Sequence, residues 1–328
     1  MPDNTVRKVY LRNHMQHYQE CLALGSKTGL SLVSKAQPVK IKHLYHELWR
    51  AIFLFERRFS RFLPDSELSV FNRNAGMRQT ISMQFRDILT AARDLAIETG
   101  GLFNPFVLPA LQAAGYSHSR VPGHEQDAID DHSTKAVADI NRLEICNDWA
   151  RIPYGTAIDL GGCGKGYLAD QIRLKLPGII SGYWLSLGGD IAIGGYDDHN
   201  QPWKVAVEDA YDPSQTSALI TVDTACGIAT SGVIVHSGQK AGGSWHHIIN
   251  PRTRQPAKTD ILLATVHDVS SLKADVLASC SIILGSKQGL KFLKARGVKS
   301  ALLQCQAEPG KPNIMHFGKS IELEAVHA

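Results

Sequence analysis

The chain has 328 residues, of which 44% are hydrophobic and 20% charged, so we expect a soluble globular protein with a large buried core. Its net charge of +4 is small for this length, and no long run of lysine and arginine occurs, which argues against nucleic acid as a partner. The six cysteines contain no Cys-x-x-Cys pair, and the sequence has neither a signal peptide nor an apolar run of about 20 residues. We therefore expect reduced thiols, no membrane span and a cytoplasmic location.

The N-terminal third predicts helices. We expect residues 1–19 to be a loose extension, followed by an amphipathic helix over 43–59. A second helix is predicted after Ser82, an N-cap residue, and Gly100-Gly101 should end it. The polar stretch 117–135 lacks periodicity and is interpreted as a surface loop.

After residue 136 the chain predicts mostly short strands. The strand-like segments are RLEICND, RIPYGTAIDL, YWLSLGGDIAIGG, PWKVAVED and SALITVD. One helix interrupts them, and two more helices are expected near the end, from Ser270 or Ser271 to Leu284 and from about Lys287 to Arg296. Since strands and helices do not alternate strictly, the predicted class is α+β, in a single domain spanning 1–328.

A glycine-rich loop, AIDLGGCGKGYLAD at 157–170, is expected to connect an apolar strand to a helix beginning near Lys165. It matches neither the Walker phosphate loop nor the dinucleotide fingerprint. The free N–H groups of that helix and the lysine would favour an anion, and Asp159 at the expected strand end strengthens this interpretation. A glycine-rich turn that only allows close packing is the alternative.

A second candidate is the apolar helix segment SSLKADVLASCSIILG. Asp275 and Ser279 are four residues apart and share one helical face. A buried acid must be paired, either with a lysine or with a hard cation such as Mg²⁺, which prefers oxygen ligands. The sequence favours neither alternative.

A third candidate is GSWHHIINPRTRQP. In a strand, His246 and His247 would point to opposite faces, so one of them would face a cleft. A surface histidine beside a turn is the common alternative. Zinc is not expected, since no cysteine or acid stands at ligand spacing.

Seven motifs, in this order, resemble the FAD:protein FMN transferases, the ApbE family, over roughly residues 20 to 305. They are FSRFLPDSELSVFNRNAG, GLFNPFVLPAL, IDLGGCGKGYLAD, LSLGGDIAIGG, GIATSG, HHIINPRT and ADVLASCSIILG. The resemblance implies N-terminal helices packed on a mixed or antiparallel sheet, with FAD in the cleft between them. It implies a magnesium-dependent flavinyltransferase that moves FMN from FAD to a Thr or Ser of an acceptor flavoprotein and releases AMP.

The same resemblance implies roles for single residues. The carbonyls of Gly162 and Ala278, the Asp275 carboxylate and the Ser279 hydroxyl would hold Mg²⁺. His247 is the candidate base for the acceptor hydroxyl, and Asp275 is the second residue assigned to catalysis. The residues expected to contact FAD are Leu24, Phe62, Phe103, Asn104, Pro105, Asp159, Lys165 and Ile249.

The sequence also departs from the family pattern. Leu24-Gly25-Ser26 stands for Met-Gly-Thr, Asn104 and Asn250 replace aspartates, and Arg254 replaces a turn glycine. Two other functions therefore stay open: an FAD pyrophosphatase that gives FMN and AMP, and a flavin-binding protein with weakened catalysis.

Overall fold

The computed structural model describes the chain in six stretches: residues 7–10, 15–117, 137–235, 237–240, 243–307 and 310–323. Within them it is an α+β protein, as predicted, built on one large sheet with helices on one side and a smaller sheet on the other. No helix in these stretches is long and apolar enough to cross a bilayer.

The large sheet has nine strands, and every neighbouring pair is antiparallel. In spatial order they are β1 (Arg7–Tyr10), β2 (Gln16–Ala23), β3 (Ser26–Val33), β7 (Gly182–Leu187), β8 (Asp190–Gly195), β11 (Cys226–Gly232), β16 (Ile261–Asp268), β17 (Ser300–Cys305) and β18 (Asn313–Phe317). The central strands are buried along most of their length, because both faces of the sheet are covered.

Four smaller sheets complete the strands. A three-stranded sheet of β9 (Trp203–Glu208), β10 (Thr216–Val222) and β19 (Ile321–Leu323) packs on one face of the large sheet, with the Trp184 and Trp203 rings edge to face. The others are β4 (Gln79–Thr80) with β6 (Trp149–Arg151) and β5 (Glu144–Ile145), β12 (Ser237–Lys240) with β13 (Gly243–His246), and β14 (Ile249–Asn250) with β15 (Gln255–Pro256).

Seven α-helices lie in the described stretches: α1 (Pro38–Phe59), α2 (Glu67–Arg73), α3 (Met83–Glu98), α4 (Leu108–Ala114), α5 (Gly164–Leu174), α6 (Ser271–Leu284) and α7 (Ser286–Ala295). Short 3-10 helices span Pro105–Val107 and Ile140–Arg142. The side chains of Ser82 and Ser270 cap α3 and α6 as predicted. The helix predicted over 43–59 begins earlier, at Pro38, which suits a first helical turn.

Two glycines let α6 approach its neighbours closely. A Cβ on Gly166 of α5 would lie 2.7 Å from the Ser271 carbonyl oxygen. One on Gly227 of β11 would lie 2.1 Å from the Ser271 nitrogen. The Asp170 carboxylate of α5 accepts hydrogen bonds from the backbone N–H groups of Ser271 and Leu272, at 3.2 and 3.0 Å. The first turn of α6 is therefore locked against both α5 and the sheet.

The predicted strand 151–160 is wrong. β6 ends at Arg151, because Pro153 cannot donate to a ladder and Gly155 adopts φ +71°. Asp159 thus lies in irregular chain rather than at a strand end, and its N–H donates to the Pro105 carbonyl at 2.8 Å.

Other predicted boundaries also differ. The sequence pattern Leu168, Ile172 and Leu176 before Pro177 predicts that the helix after the glycine loop continues to Leu176, but it ends at Leu174. Within the expected loose extension, residues 7–10 and 16–19 are paired strands of the large sheet. Of the expected surface loop, all but Ser117 lies outside the described residues.

Candidate active site

A cleft of about 1490 Å³ lies between α1, the glycine-rich loop and the ends of the central strands. It collects most of the residues singled out from the sequence. Those lining it are Leu24, Phe62, Phe103, Asn104, Asp159, Gly162, Lys165, His247, Ile249, Asp275 and Ser279. Pro105 and Ala278 are not among the lining residues. The volume exceeds the roughly 300–1,000 Å³ of common ligand pockets, so a large ligand fits.

The glycine loop leads directly into α5. Gly161 donates its N–H to the Asp159 carboxylate at 2.9 Å, which bends the loop, and the N-cap residue Cys163 offers no side-chain hydrogen bond to the helix. The Gly164 N–H donates to the Leu160 carbonyl at 2.7 Å and the Gly166 N–H acts on Asp275, and the N-terminus of α5 meets the cleft where the loop and Lys165 line the wall.

Asp159 is paired with Arg61, whose Nε lies 3.2 Å from the carboxylate. Arg61 is buried, donates to the Tyr116 carbonyl at 2.8 Å, and stacks over the Phe62 and Tyr116 rings at 4.1 and 4.8 Å. Burial lowers the pKa of Arg61, and the nearby Asp159 opposes that shift. Asp159 therefore orders the loop and balances a buried guanidinium at the base of the cleft.

Lys165 lies between two buried carboxylates. Its Nζ forms an ion pair of 2.9 Å with an Asp190 oxygen and lies 3.4 Å from the Gly188 carbonyl. Burial lowers the pKa of Lys165, but the attraction of Asp190 and Asp275 outweighs it and the pKa is raised. Gly188 and Gly189 have φ +68° and +97° in the two-residue turn between β7 and β8. This turn directs the Gly188 carbonyl toward the Lys165 ammonium group.

Asp275 is a second buried acid that acts electrostatically on Lys165. Burial and the neighbouring Asp190 raise its pKa well above the usual value, while Lys165 and the Gly166 N–H act in the opposite direction. Among the described residues its Oδ2 has no hydrogen-bond partner. Two carboxylates thus face one ammonium in a buried space.

The oxygens around Asp275 form only part of a cation site. The Ser279 hydroxyl shares a hydrogen bond of 2.9 Å with Ser231, and Gly162 lines the same cleft. The Ala278 carbonyl accepts the Ser281 hydroxyl at 2.7 Å. In the described part of the chain, no group of three or more His, Cys, Asp or Glu side chains could hold a metal. A cation here would therefore need carbonyl, hydroxyl or ligand oxygens as well, which suits Mg²⁺.

The two histidines face different ways, as the sequence predicts. His246 contacts the Ala257 carbonyl at 2.9 Å and accepts the Ile248 N–H at 3.3 Å, and burial lowers its pKa. His247 lines the cleft, with its ring 6.2 Å from that of Tyr116 and edge to face. His246 is thus held by backbone groups, and His247 is the one open to a ligand.

The two asparagines that replace family aspartates have structural partners. Asn104 donates its side-chain N–H to the Ala138 carbonyl at 2.9 Å and accepts the Phe106 N–H at 3.0 Å. Asn250 accepts the Arg252 N–H at 3.0 Å, which forms a turn. A carboxylate in place of Asn104 would lose the donor to Ala138.

Leu24 lies in the turn between β2 and β3 with φ 55°, followed by Gly25 with φ 71°. The turn borders the cleft, and Ser26 lies so close to Gly188 that a Cβ there would be 2.1 Å from the serine oxygen. Two hairpin turns therefore stand side by side at one end of the cleft.

Sequence reasoning missed Arg61 and Asp190 as site residues. Arg61 belongs to the short basic cluster Arg57-Arg58-Phe59-Ser60-Arg61, a pattern typical of a solvated helix face, and only its burial beside Asp159 reveals its role. Asp190 did carry a signal, because it is the one charged residue within the apolar stretch YWLSLGGDIAIGG.

The fold and the cleft define an α+β protein with a buried cluster of opposite charges at the N-terminus of a helix. The family model of the ApbE family matches residues 24–303, and the chain belongs to this family.

Similar proteins agree with that assignment. A FAD:protein FMN transferase of Klebsiella pneumoniae is 27% identical over 261 residues, covering 77% of this chain and 74% of the relative. One of Treponema pallidum is 26% identical over 293 residues, covering 83% of this chain and 80% of the relative. Solved structures of the flavinyl transferase ApbE of Pseudomonas stutzeri, in its apo form, and of the flavin transferase ApbE of Vibrio cholerae share the fold. Their TM-scores are 0.74 and 0.73, at 20% and 23% identity, and the matches cover at least 96% of each chain.

Proposed function

We propose that this protein is a magnesium-dependent FAD:protein FMN transferase. It transfers the FMN part of FAD to a Thr or Ser side chain of an acceptor flavoprotein and releases AMP. Membership of the family and the names of the similar proteins support the transfer. The observation that carries it is the buried cluster of Lys165, Asp190 and Asp275 in a cleft large enough for a dinucleotide.

The residues present fit a magnesium ion. The Asp275 Oδ2 has no partner among the described residues, the buried cluster has one carboxylate more than it has ammonium groups, and its oxygens are hard donors. Asp275 and Ser279, with the Gly162 carbonyl, would hold the ion. Ala278 as a ligand stays a prediction from the family resemblance. Bound Mg²⁺ would polarise a phosphoryl oxygen and neutralise charge that develops on the pyrophosphate.

The chain's own residues would position the substrate. The α5 N-terminus and Lys165 present backbone donors and a positive charge to the pyrophosphate. Phe62, Phe103 and Ile249 offer apolar surface in the same cleft to the ring systems of FAD. Three further residues would shape the cleft through their backbone: Leu24 in the turn between β2 and β3, and Asn104 and Pro105 at the start of a 3-10 helix. Asp159 would do so by ordering the glycine loop while it pairs with Arg61.

His247 would accept the proton of the acceptor hydroxyl. The acceptor oxygen forms a bond to the FMN phosphorus while the bond from this phosphorus to the bridging oxygen of the pyrophosphate breaks. AMP leaves with the bridging oxygen. Removal of a general base commonly slows such a step by about 10²–10⁴-fold. We therefore expect His247→Ala to reduce transfer strongly and FAD affinity little.

The test is an incubation of the purified protein with FAD and Mg²⁺, followed by separation of AMP, FMN and protein-bound flavin. It is run with and without a protein that carries an acceptor threonine. AMP together with covalent flavin on the acceptor is the expected result. AMP with free FMN would instead establish a pyrophosphatase, and bound but uncleaved FAD would establish a flavin-binding protein.

We also propose a cytoplasmic location. All six cysteines are described and none forms a disulfide, as expected for a reducing compartment. Fractionation of cells, with the protein detected by antibody, tests the location.

A further inference from the structure

Helix α1 presents a stripe of exposed side chains to the outer part of the cleft. Its members are Lys42, His46, Arg50, Leu54 and Arg57, spaced by four, four, four and three residues, so they lie on one side of the helix. All five are exposed and all five line the cleft. The neighbouring face of α1 is buried in the core. We call this set the α1 stripe.

The α1 stripe is positively charged. Lys42, Arg50 and Arg57 are permanent cations, and the Arg50 and His46 side chains are 65% and 75% exposed. Glu47 lies beside the stripe, 3.9 Å from Arg50, but does not line the cleft. The only acid of α1 that lines it is the half-buried Glu56. The outer cleft therefore attracts anions.

The same part of the cleft is also apolar. Leu54 in the stripe and Leu22 on β2 are 51% and 49% exposed, which is high for leucine. Phe53 and the buried Trp49, whose rings stack at 6.0 Å, also line the cleft. Exposed apolar surface framed by charge is typical of a surface that binds another protein.

We propose that the α1 stripe docks an acidic, extended segment of the acceptor flavoprotein, with apolar side chains against Leu22 and Leu54. This inference rests on the proposed function. From Lys42 to Arg57 the helix rises about 22 Å, which matches about seven residues of extended chain. The stripe belongs to the same cleft as Lys165, so a segment lying on it leads toward the buried cluster.

The cations of the α1 stripe differ from those of the proposed dinucleotide site in their exposure to solvent. Arg61 and Lys165, the cations of the inner cleft, are paired with carboxylates and buried or partly buried. The α1 stripe stays in solvent, where charge mainly selects a macromolecular partner and speeds its association.

Direct binding tests the proposal without any need for turnover. Two fluorescein-labelled peptides of equal length, each with a central threonine and two leucines, carry either Asp and Glu or Asn and Gln at the remaining positions. Fluorescence anisotropy measures their affinity for the full-length protein at low and at high salt. The variants are Lys42→Glu/Arg50→Glu and the milder Lys42→Gln/Arg50→Gln. The matched control is Lys287→Glu/Lys291→Glu, which reverses two exposed lysines on α7 outside the cleft.

We expect the acidic peptide to bind more tightly than the neutral peptide, and its affinity to fall as the salt concentration rises. The charge-reversal variant should bind the acidic peptide about ten-fold more weakly, the Lys42→Gln/Arg50→Gln variant should lose less affinity, and the α7 control should lose little. FAD affinity, followed by flavin fluorescence, should stay within about two-fold in all variants. Equal affinity for the two peptides, or equal loss in the α7 control, would overturn the proposal. The proposal would also be overturned if the charge variants lost affinity for FAD but not for the peptide, because the α1 stripe would then be part of the dinucleotide site. Failure of FAD cleavage alone would overturn the proposed function and leave this binding result intact.

Discussion

Asp275 lies with its carboxylate buried and one oxygen unpartnered among the described residues, an arrangement that costs free energy in the absence of a cation. The surrounding helix contributes no compensating charge, since its other buried residues are apolar or serine. The residue is therefore better explained by a ligand than by stability.

Asp275→Asn should keep the shape of the side chain and remove that cost. We expect the melting temperature without magnesium to stay equal or to rise, and the further rise caused by FAD with Mg²⁺ to disappear. Differential scanning fluorimetry with EDTA, with Mg²⁺ and with FAD measures both effects.

Asp260→Asn is the matched control. Asp260 caps α7 outside the cleft and accepts the Ser286 N–H at 2.9 Å, so its loss should lower the melting temperature and leave the ligand-induced rise intact. A destabilised Asp275→Asn protein with a full response to FAD and Mg²⁺ would remove the metal assignment.

His267 is buried between β11 and β17 with its Nδ1 3.1 and 3.2 Å from the hydroxyls of Ser300 and Ser320. Burial, helped by Lys299, lowers its pKa to about 4. Between that value and its ordinary 6.5 the unfolded chain binds more protons than the folded one, so stability falls as pH falls through this window.

His267→Gln should remove this contribution. We expect the free energy of unfolding of the native protein to fall, relative to the variant, by at most about 1.4 kcal/mol per pH unit between pH 6.5 and 4. Urea denaturation of both proteins across that range measures it. Parallel pH profiles would show that His267 does not titrate on unfolding.

Arg254 has φ 60°, a conformation that favours glycine, and it follows the Asn250 turn. Arg254→Gly relieves the backbone strain of about 1–2 kcal/mol, partly offset by the entropy that glycine gives the unfolded chain. We expect a net gain of about 0.5–1 kcal/mol in urea denaturation. Arg252→Gly removes the same charge at a position without positive φ and should bring no gain.

At the scale of elements, the hairpin of β12 and β13 holds His247 in place. The Trp245 ring of β13 lies in a slot between Gly115 at the end of α4 and Gly238 of β12, and a Cβ at either glycine would lie 3.0 Å from the ring. Tyr116 contacts both rings, with centroids 6.2 Å from Trp245 and 6.2 Å from His247. The slot thus fixes the hairpin relative to the cleft.

Gly238→Ala should shift the Trp245 ring and move His247 with it. We expect kcat for FMN transfer to fall about 10–100-fold while FAD affinity stays unchanged, because displacement of a catalytic group by about 1 Å costs this much. Steady-state kinetics and flavin titration measure the two quantities. Gly178→Ala, where a Cβ meets nothing within 4 Å, should leave both as in the native protein. A parallel loss of FAD affinity would instead mean that the slot shapes the dinucleotide site.

Local signals predicted the helices well and the strands less well. Ser270 and Gly285 bound α6 as predicted, because cap residues act within one turn. The segment 151–160 is apolar enough for a strand, yet Asn72 and the Pro105 carbonyl take its hydrogen bonds instead. Partners so distant in sequence leave no local signal.

At the scale of the whole molecule, the candidate site is assembled from segments far apart in the chain. The family resemblance implies that Lys165, His247 and Asp275 serve one site, and in the structure all three line the same cleft. The sequence does not predict that Asp190 pairs with Lys165, or that Arg61 balances Asp159, because both pairs join separate segments that only the tertiary fold brings together. Burial decides both roles, and burial follows from topology.

The position of α6 near the end of the chain also determines when the buried charged cluster becomes complete during synthesis. Lys165 and Asp190, which form an ion pair in the folded protein, are synthesised before Asp275. The second carboxyl group is added only with α6, which ends at residue 284 of 328 and packs closely against Gly166 and Gly227. The charge pattern that would attract a divalent cation is thus complete only when most of the polypeptide has been synthesised.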